Sequence, residues 1–253
     1  MKAVILLVED NREILDFIES NLCDQYTVKK TANGKEALEV LRNEIVDLIV
    51  SDVMMPQMDG FELCRIIKSD VELSHLPCIL LTAKNTLQAR LQGLELGADV
   101  YIEKPFSPKH LKIQISNLLE NRNKIKNYFA NSPLAQLKTI AHTKADEKFL
   151  ETVNHIIEEH LQEPELDVDR LARYLNMSRP TFYRKINAIS DLTPNDLINL
   201  TRLKKAARLM SDGHNINEVS EMVGYNSPKI FSKNFEKQFG MMPSEYISGH
   251  LKG

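Results

Sequence analysis

Five short apolar runs, separated by segments of helical period, fill the first 120 residues, and this alternation leaves few folds open. The runs are AVILLV (3–8), YTVKK (26–30), DLIVS (47–51), CILLT (78–82) and DVYIE (99–103). Between them, apolar residues recur at helical spacing: Ile14, Leu15, Ile18 and Leu22; Ala37, Leu38 and Leu41; Phe61, Leu63, Ile66 and Ile67; Leu87, Leu91 and Leu94. Leu111, Ile115, Leu118 and Leu119 follow the last run. Strands that alternate with helices pair in parallel, and near-continuous apolar strands are buried on both faces. The expectation is an α/β, doubly wound, five-stranded parallel sheet. In such a sheet, ligands sit beyond the carboxyl ends of the strands, where the strand order reverses.

The remainder has another period. Residues 121–148, NRNKIKNYFANSPLAQLKTIAHTKADEK, are polar and read as the tail of a helix followed by a linker. From about Glu147 onward the pattern is helical throughout, which predicts an all-α domain over 149–253. Charge divides along the same line. Residues 1–169 carry 19 Lys+Arg and 28 Asp+Glu, a net of −9, whereas residues 170–253 carry 13 and 7, a net of +6. A nucleic-acid partner would therefore bind the C-terminal part. The three cysteines, Cys23, Cys64 and Cys78, form no CxxC pair and suit free thiols in a cytoplasmic protein. The early apolar stretch Ala3–Val8 is too short to span a bilayer.

The ends of the strand runs carry the chemistry. The first ends in Glu9 and Asp10, the third in Asp52, the fourth in Thr82 and the fifth in Lys104-Pro105. A parallel sheet brings these to one edge. Carboxylates gathered there repel one another unless a proton or a cation intervenes. All-oxygen donors that leave room for water and phosphate suit Mg²⁺. A lysine offers a compact positive charge to a phosphoryl oxygen, and a threonine hydroxyl offers a hydrogen bond. This set fits phosphoryl transfer onto a carboxylate. Glu9-Asp10-Asn11 also fits a cap for the helix beginning at Arg12, and Lys104-Pro105 also fits a plain loop.

With VEDN (8–11), DVMMPQMDG (52–60), LLTA (80–83) and YIEKPF (101–106) in place, the first domain, 1–120, resembles the receiver domain of two-component systems, a flavodoxin-like fold. The resemblance implies that Asp52 accepts a phosphoryl group from a histidine kinase. It implies that Glu9, Asp10 and Asp52, with the main-chain carbonyl of Met54, hold Mg²⁺. Lys104 would neutralise the phosphate and Thr82 would reach toward it. Tyr101 would be the aromatic switch residue, and the Lys104-Pro105 peptide would be cis. A surface around Asn85–Leu94 and Tyr101–Leu119 would dimerise on phosphorylation.

The C-terminal domain contains a near-repeat: LARYLNMSRPTFYRKINAISDLTPNDLI (171–198) resembles VSEMVGYNSPKIFSKNFEKQFGMMPSEYI (219–247). Phe182 pairs with Phe231 and Pro194 with Pro243, both at an offset of 49. Each copy reads as a short helix, a turn and a second helix opened by serine and proline. In the first copy Phe182, Ile186 and Ile189 share one face, opposite Pro180, Tyr183, Arg184 and Asn187. In the second, Phe231, Phe235 and Phe239 face inward. This is a layout of two helix-turn-helix units, joined by a basic helix over 195–211. At about 1.5 Å per residue, that helix holds them roughly one DNA turn apart.

The motif VGYNSPKIFSKNFEKQFGMMPSEY (223–246) resembles the AraC-type DNA-binding domain. That resemblance places Pro180, Tyr183 and Arg184, and Lys229, Ile230 and Lys233, against bases or phosphates of double-stranded DNA. Asp191 stands where the family often has glycine, and Lys233 where it often has arginine. The combination of domains is similar to the C-terminal part of hybrid two-component regulators of Bacteroidetes, in which a sensor and histidine kinase precede the receiver. Two other functions make different demands on the residues. A phosphatase with an aspartyl-phosphate intermediate of the haloacid-dehalogenase type needs a second aspartate at position 54, which is Met54. A tail that binds protein would lack a steep salt dependence of DNA binding.

Overall fold

The computed structural model describes residues 2–83, 96–163 and 165–250. The chain forms two units, Met1–Asn123 and Lys124–Gly253. In the first, β1 (Val4–Val8), β2 (Thr27–Thr31), β3 (Leu48–Asp52), β4 (Cys78–Thr82) and β5 (Val100–Glu103) form one sheet in the order β2-β1-β3-β4-β5. Every neighbouring pair is parallel. The order reverses at β1, which lies between β2 and β3.

Alternate residues of each strand enter opposite cores, as the period of two requires. Leu6, Val8, Ile49 and Leu80 pack on one face with Ala37 and Leu41 of α2 (Gly34–Asn43) and Leu63 and Ile67 of α3 (Gly60–Ser69). Ile5, Leu7, Val50 and Leu81 pack on the other with Ile18 and Leu22 of α1 (Arg12–Leu22) and Leu111 and Ile115 of α4 (Pro108–Asn131). Each such buried side chain contributes about 1.5–3 kcal/mol. This two-sided burial is why β1, β3 and β4 are almost wholly apolar until their ends, whereas β2 at the sheet edge (TVKKT) is largely polar. The helical pattern Leu87, Leu91 and Leu94 and the surface Asn85–Leu94 lie outside the described residues.

The second unit is helical: α5 (Lys144–Glu159), α6 (Val168–Tyr174), α7 (Arg179–Ser190), α8 (Pro194–Ser211), α9 (Ile216–Met222), α10 (Pro228–Phe239) and α11 (Pro243–His250). The helix starts follow the capping chemistry. Ser178 caps α7 by accepting from the Thr181 amide, and capping boxes open α8 (Thr193 with Asp196) and α9 (Asn215 with Glu218). The ends of α7 and α10 repeat at the same offset: Asp191 (φ 58°) and Gly240 (φ 71°) both take the left-handed conformation that closes a helix. Asp191 thus does in the first copy what glycine does in the second.

The segment 121–148 differs from the linker expected of it. Helix α4 runs to Asn131, and a 3₁₀ turn follows at Leu137–Ile140. Phe129, Ala135, Leu137 and Ile140 are buried in the core of the second unit. Their apolar side chains are too widely spaced for a simple period, because a helix end, an irregular stretch and a 3₁₀ turn present them in succession. Among the described residues, no helix is long and apolar enough to cross a membrane.

Candidate functional site

The carboxyl edge of the sheet is built by carrying the ladder one residue past each strand. The Glu9 amide donates to the Thr31 carbonyl (3.1 Å), Val53 to Leu81 (2.9 Å) and Lys104 to Thr82 (2.7 Å). These bonds fix Glu9, Asp52 and Lys104 side by side. Carboxylate oxygens of Glu9, Asp10 and Asp52 all lie within 4.8 Å of one another. The Lys104 Nζ is 2.7 Å from Glu9 Oε2 and 3.1 Å from Asp52 Oδ1. Glu9, Asp52 and Thr82 are buried, and Asp10 is exposed. The Lys104-Pro105 peptide is cis.

Burial raises the pKa of the Glu9 carboxyl above its ordinary value; the Lys104 hydrogen bond opposes this and the Asp52 charge adds to it. Burial by itself would lower the Lys104 ammonium, but bonding to Glu9 and the charges of Asp52 and Glu9 outweigh it and raise its pKa. Three carboxylates against this lysine leave the cluster short of positive charge. All-oxygen donors with that deficit fit a hard divalent cation such as Mg²⁺.

Neighbouring residues take over the local tasks that would otherwise compete for these groups. Asn11 caps α1 by accepting from the amides of Glu13 and Ile14, and its own amide donates to Glu9 Oε1 (3.2 Å). Asp59 caps α3, accepting from the Glu62 amide. Gly60 is required by close approach: a Cβ there would meet the Asp52 carbonyl oxygen at 2.1 Å. The start of α3 therefore lies against the backbone of Asp52. Met54 follows in the loop with an exposed side chain, and Gln57 turns that loop at φ 65°. Tyr101, on β5, is half-buried against the core that holds Leu6 and Leu80, and its hydroxyl is buried with no hydrogen-bond partner among the described residues.

In the second unit, α7 and α10 each follow a short helix and a left-handed turn residue, Asn176 (φ 54°) and Gly224 (φ 75°). Gly224 also has no room for a side chain, since a Cβ would meet the Leu161 carbonyl at 2.4 Å. Phe182, Ile186 and Ile189 of α7 and Phe231 and Phe235 of α10 are fully buried. Pro180, Tyr183, Arg184, Lys229, Ile230 and Lys233 are exposed.

Not every cation faces outward. Lys185, beside Arg184 on α7, is 1% exposed and pairs with fully buried Asp146 of α5. Arg202 and Lys204 of α8 are buried as well. The Arg202 guanidinium donates to the Glu163 carbonyl (2.6 Å). The Lys204 ammonium donates to the carbonyls of Phe129 and Ser132 and stands 4.3 Å from the Phe129 ring centre, closing the end of α4. Burial, then Arg208, draws its pKa down to about 8. The basic helix joining the two units thus turns part of its charge inward. Composition alone gave no sign of these partners, because each lies far away in the chain.

Comparisons with known proteins agree with this division. Residues 5–116 match the response regulator receiver domain, and residues 171–249 match a helix-turn-helix domain. Histidine kinase P4 of Formosa agariphila is 41% identical over 246 residues, 97% of this chain but 18% of that protein. The probable transcriptional regulator ycf27 of Guillardia theta is 40% identical over 124 residues, 49% of this chain and 48% of its own length. The chain therefore spans half or less of these curated relatives. The signal receiver domain of a histidine kinase from Syntrophus aciditrophicus, a crystal structure, is 37% identical and covers 47% of this chain and 91% of its own, with a TM-score of 0.45. The chain joins a domain of the response regulator receiver family to a helix-turn-helix domain of the AraC type.

Proposed function

We propose that this chain is a phosphorylation-controlled transcription regulator in which Asp52 takes a phosphoryl group from a histidine kinase and the C-terminal unit binds specific DNA. The observation that carries the reading is the cluster of Glu9, Asp10 and Asp52 within 4.8 Å, with the Lys104 ammonium against Glu9 and Asp52. An Asp52 carboxylate oxygen attacks phosphorus of the kinase phosphohistidine. The new O–P bond forms as the P–N bond breaks, and the electron pair leaves on the imidazole nitrogen. Lys104 moves its charge from the carboxylates toward a phosphoryl oxygen. Glu9, Asp10 and Asp52, with the Met54 carbonyl, would hold Mg²⁺, which would supply further positive charge at the site. Thr82 hydrogen-bonds the phosphoryl group, and Tyr101 changes packing with it.

The exposed set Pro180, Tyr183, Arg184, Lys229, Ile230 and Lys233 meets DNA, so the protein works in the cytoplasm with the chromosome. Phosphorylation promotes a homodimer through the surface that includes Tyr101–Leu119, which light scattering with a phosphate mimic tests directly. A mimic that leaves the mass unchanged removes the dimer from the account. The wider test is selection of genomic DNA fragments by the full chain, with and without beryllofluoride and Mg²⁺. Enrichment of repeated half-sites only with the mimic is expected. Equal enrichment in both states breaks the link between Asp52 and DNA.

A further inference from the structure

The two recognition helices are built alike where they are buried and differ where they are exposed. At the offset of 49, Phe182 matches Phe231 and Ile186 matches Phe235, all four fully buried. The positions outside the core are unlike: Pro180 against Lys229, Thr181 against Ile230, Tyr183 against Ser232, Arg184 against Lys233.

The third helical position differs most. In α7, Thr181 belongs to the cap: its amide donates to Ser178 Oγ (3.2 Å), and its hydroxyl accepts from the same oxygen (3.0 Å). In α10, Ser227 makes no side-chain cap hydrogen bond, and the position is occupied by Ile230. Ile230 is 57% exposed, while the adjacent Phe231 supplies the core contact. Lys229 and Lys233 are exposed one residue before it and one helical turn after it.

An isoleucine held in water at this place has neither a capping nor a core role. Residues in the first turn of a recognition helix reach base edges. The apolar feature that a major groove offers there is the thymine 5-methyl group. Flanking ammonium groups suit phosphates and bring an apolar side chain to the groove floor. A protein partner would bury Ile230 equally well, but it would not call for lysines on both sides at a helix start.

We infer that Ile230 is a specificity-determining residue that reads thymine methyl groups in the half-site entered by α10, so the two helix-turn-helix units of one chain select unlike sequences. This rests on the DNA-binding reading above. The test uses the full chain and a duplex it selects from random DNA, with each thymine replaced in turn by deoxyuridine, which removes only the methyl. The expected result is a loss of about fourfold in affinity at one or two positions of a single half-site, the fold-change of one buried methyl. Ile230→Ala should bind more weakly and lose that sensitivity, and Lys229→Ala should keep it. Indifference to every methyl, or equal sensitivity in Ile230→Ala, overturns the inference while leaving DNA binding intact. Failure to select any duplex overturns the DNA-binding reading and the inference with it. The deoxyuridine series leaves the protein unaltered, so it decides even if a variant folds poorly.

Discussion

Two lysine–carboxylate clusters, one in each unit, use the same groups to opposite ends. At the sheet edge, Lys104 faces Glu9 and Asp52 with Asp10 beside them, and its side chain keeps 18% of its exposure. In the helical unit, Lys185 and Asp146 keep 1% and 0%. The first cluster is open to a reactant and carries excess negative charge, so an incoming cation is attracted and Lys104 has somewhere to move. The second is sealed, with both members held away from solvent. Access and charge balance, more than residue type, separate a reactive site from a structural one.

The sharpest way to break this comparison is to remove the sealed lysine. Lys185→Met should cost about 3–5 kcal/mol, because Asp146 is left buried and ionised. Urea unfolding of the full chain measures it, and adding Asp146→Leu should recover most of the loss. A single variant as stable as the parent would mean that the pair is not sealed in solution.

The other buried lysine, Lys204, gives a pH signature. With the Lys204 pKa drawn to about 8, the unfolded chain binds more protons than the folded one between there and the ordinary lysine value of 10.5. Stability should therefore rise with pH through that window, and Lys204→Met should flatten the rise. Exposed lysines should behave otherwise. Lys229→Ala and Lys233→Ala should leave unfolding almost unchanged, yet each should reduce the slope of log affinity against log salt by about one.

The smallest effect belongs to Glu9. Its pKa lies above 4.5, so just above pH 4.5 the folded state holds more protons and stability falls as pH rises through the folded value. Glu9→Gln should remove that fall and raise the thermal midpoint at neutral pH. It should also weaken the stabilisation that Mg²⁺ gives the parent, read by thermal melts across a magnesium series.

How far the sequence discloses these clusters differs as well. The open one is legible because each member ends an apolar run, and a parallel sheet gathers strand ends. Its supporting details are less so: the close approach at Gly60 depends on where α3 meets β3, and the division of labour between Asn11 and Glu9 depends on loop geometry. The sealed cluster is hidden. Lys185 sits between Arg184 and Ile186 in a stretch that reads as a polar face, and Asp146 lies in a segment that reads as a linker. They lie 39 residues apart in the chain, and the core around Phe149, whose ring centre is 5.6 Å from the Lys185 ammonium, brings them together. The left-handed turn at Asp191 is the intermediate case, since the repeat itself aligns it with Gly240.

The central claim is that the open cluster makes Asp52 a phosphoryl acceptor. Its most direct test is the intact mass of the full chain after incubation with acetyl phosphate and Mg²⁺, beside Asp52→Asn. One added phosphoryl group on the parent, removed by hydroxylamine and absent from the variant, is the predicted result. No adduct on the parent, or the same adduct on Asp52→Asn, would contradict it.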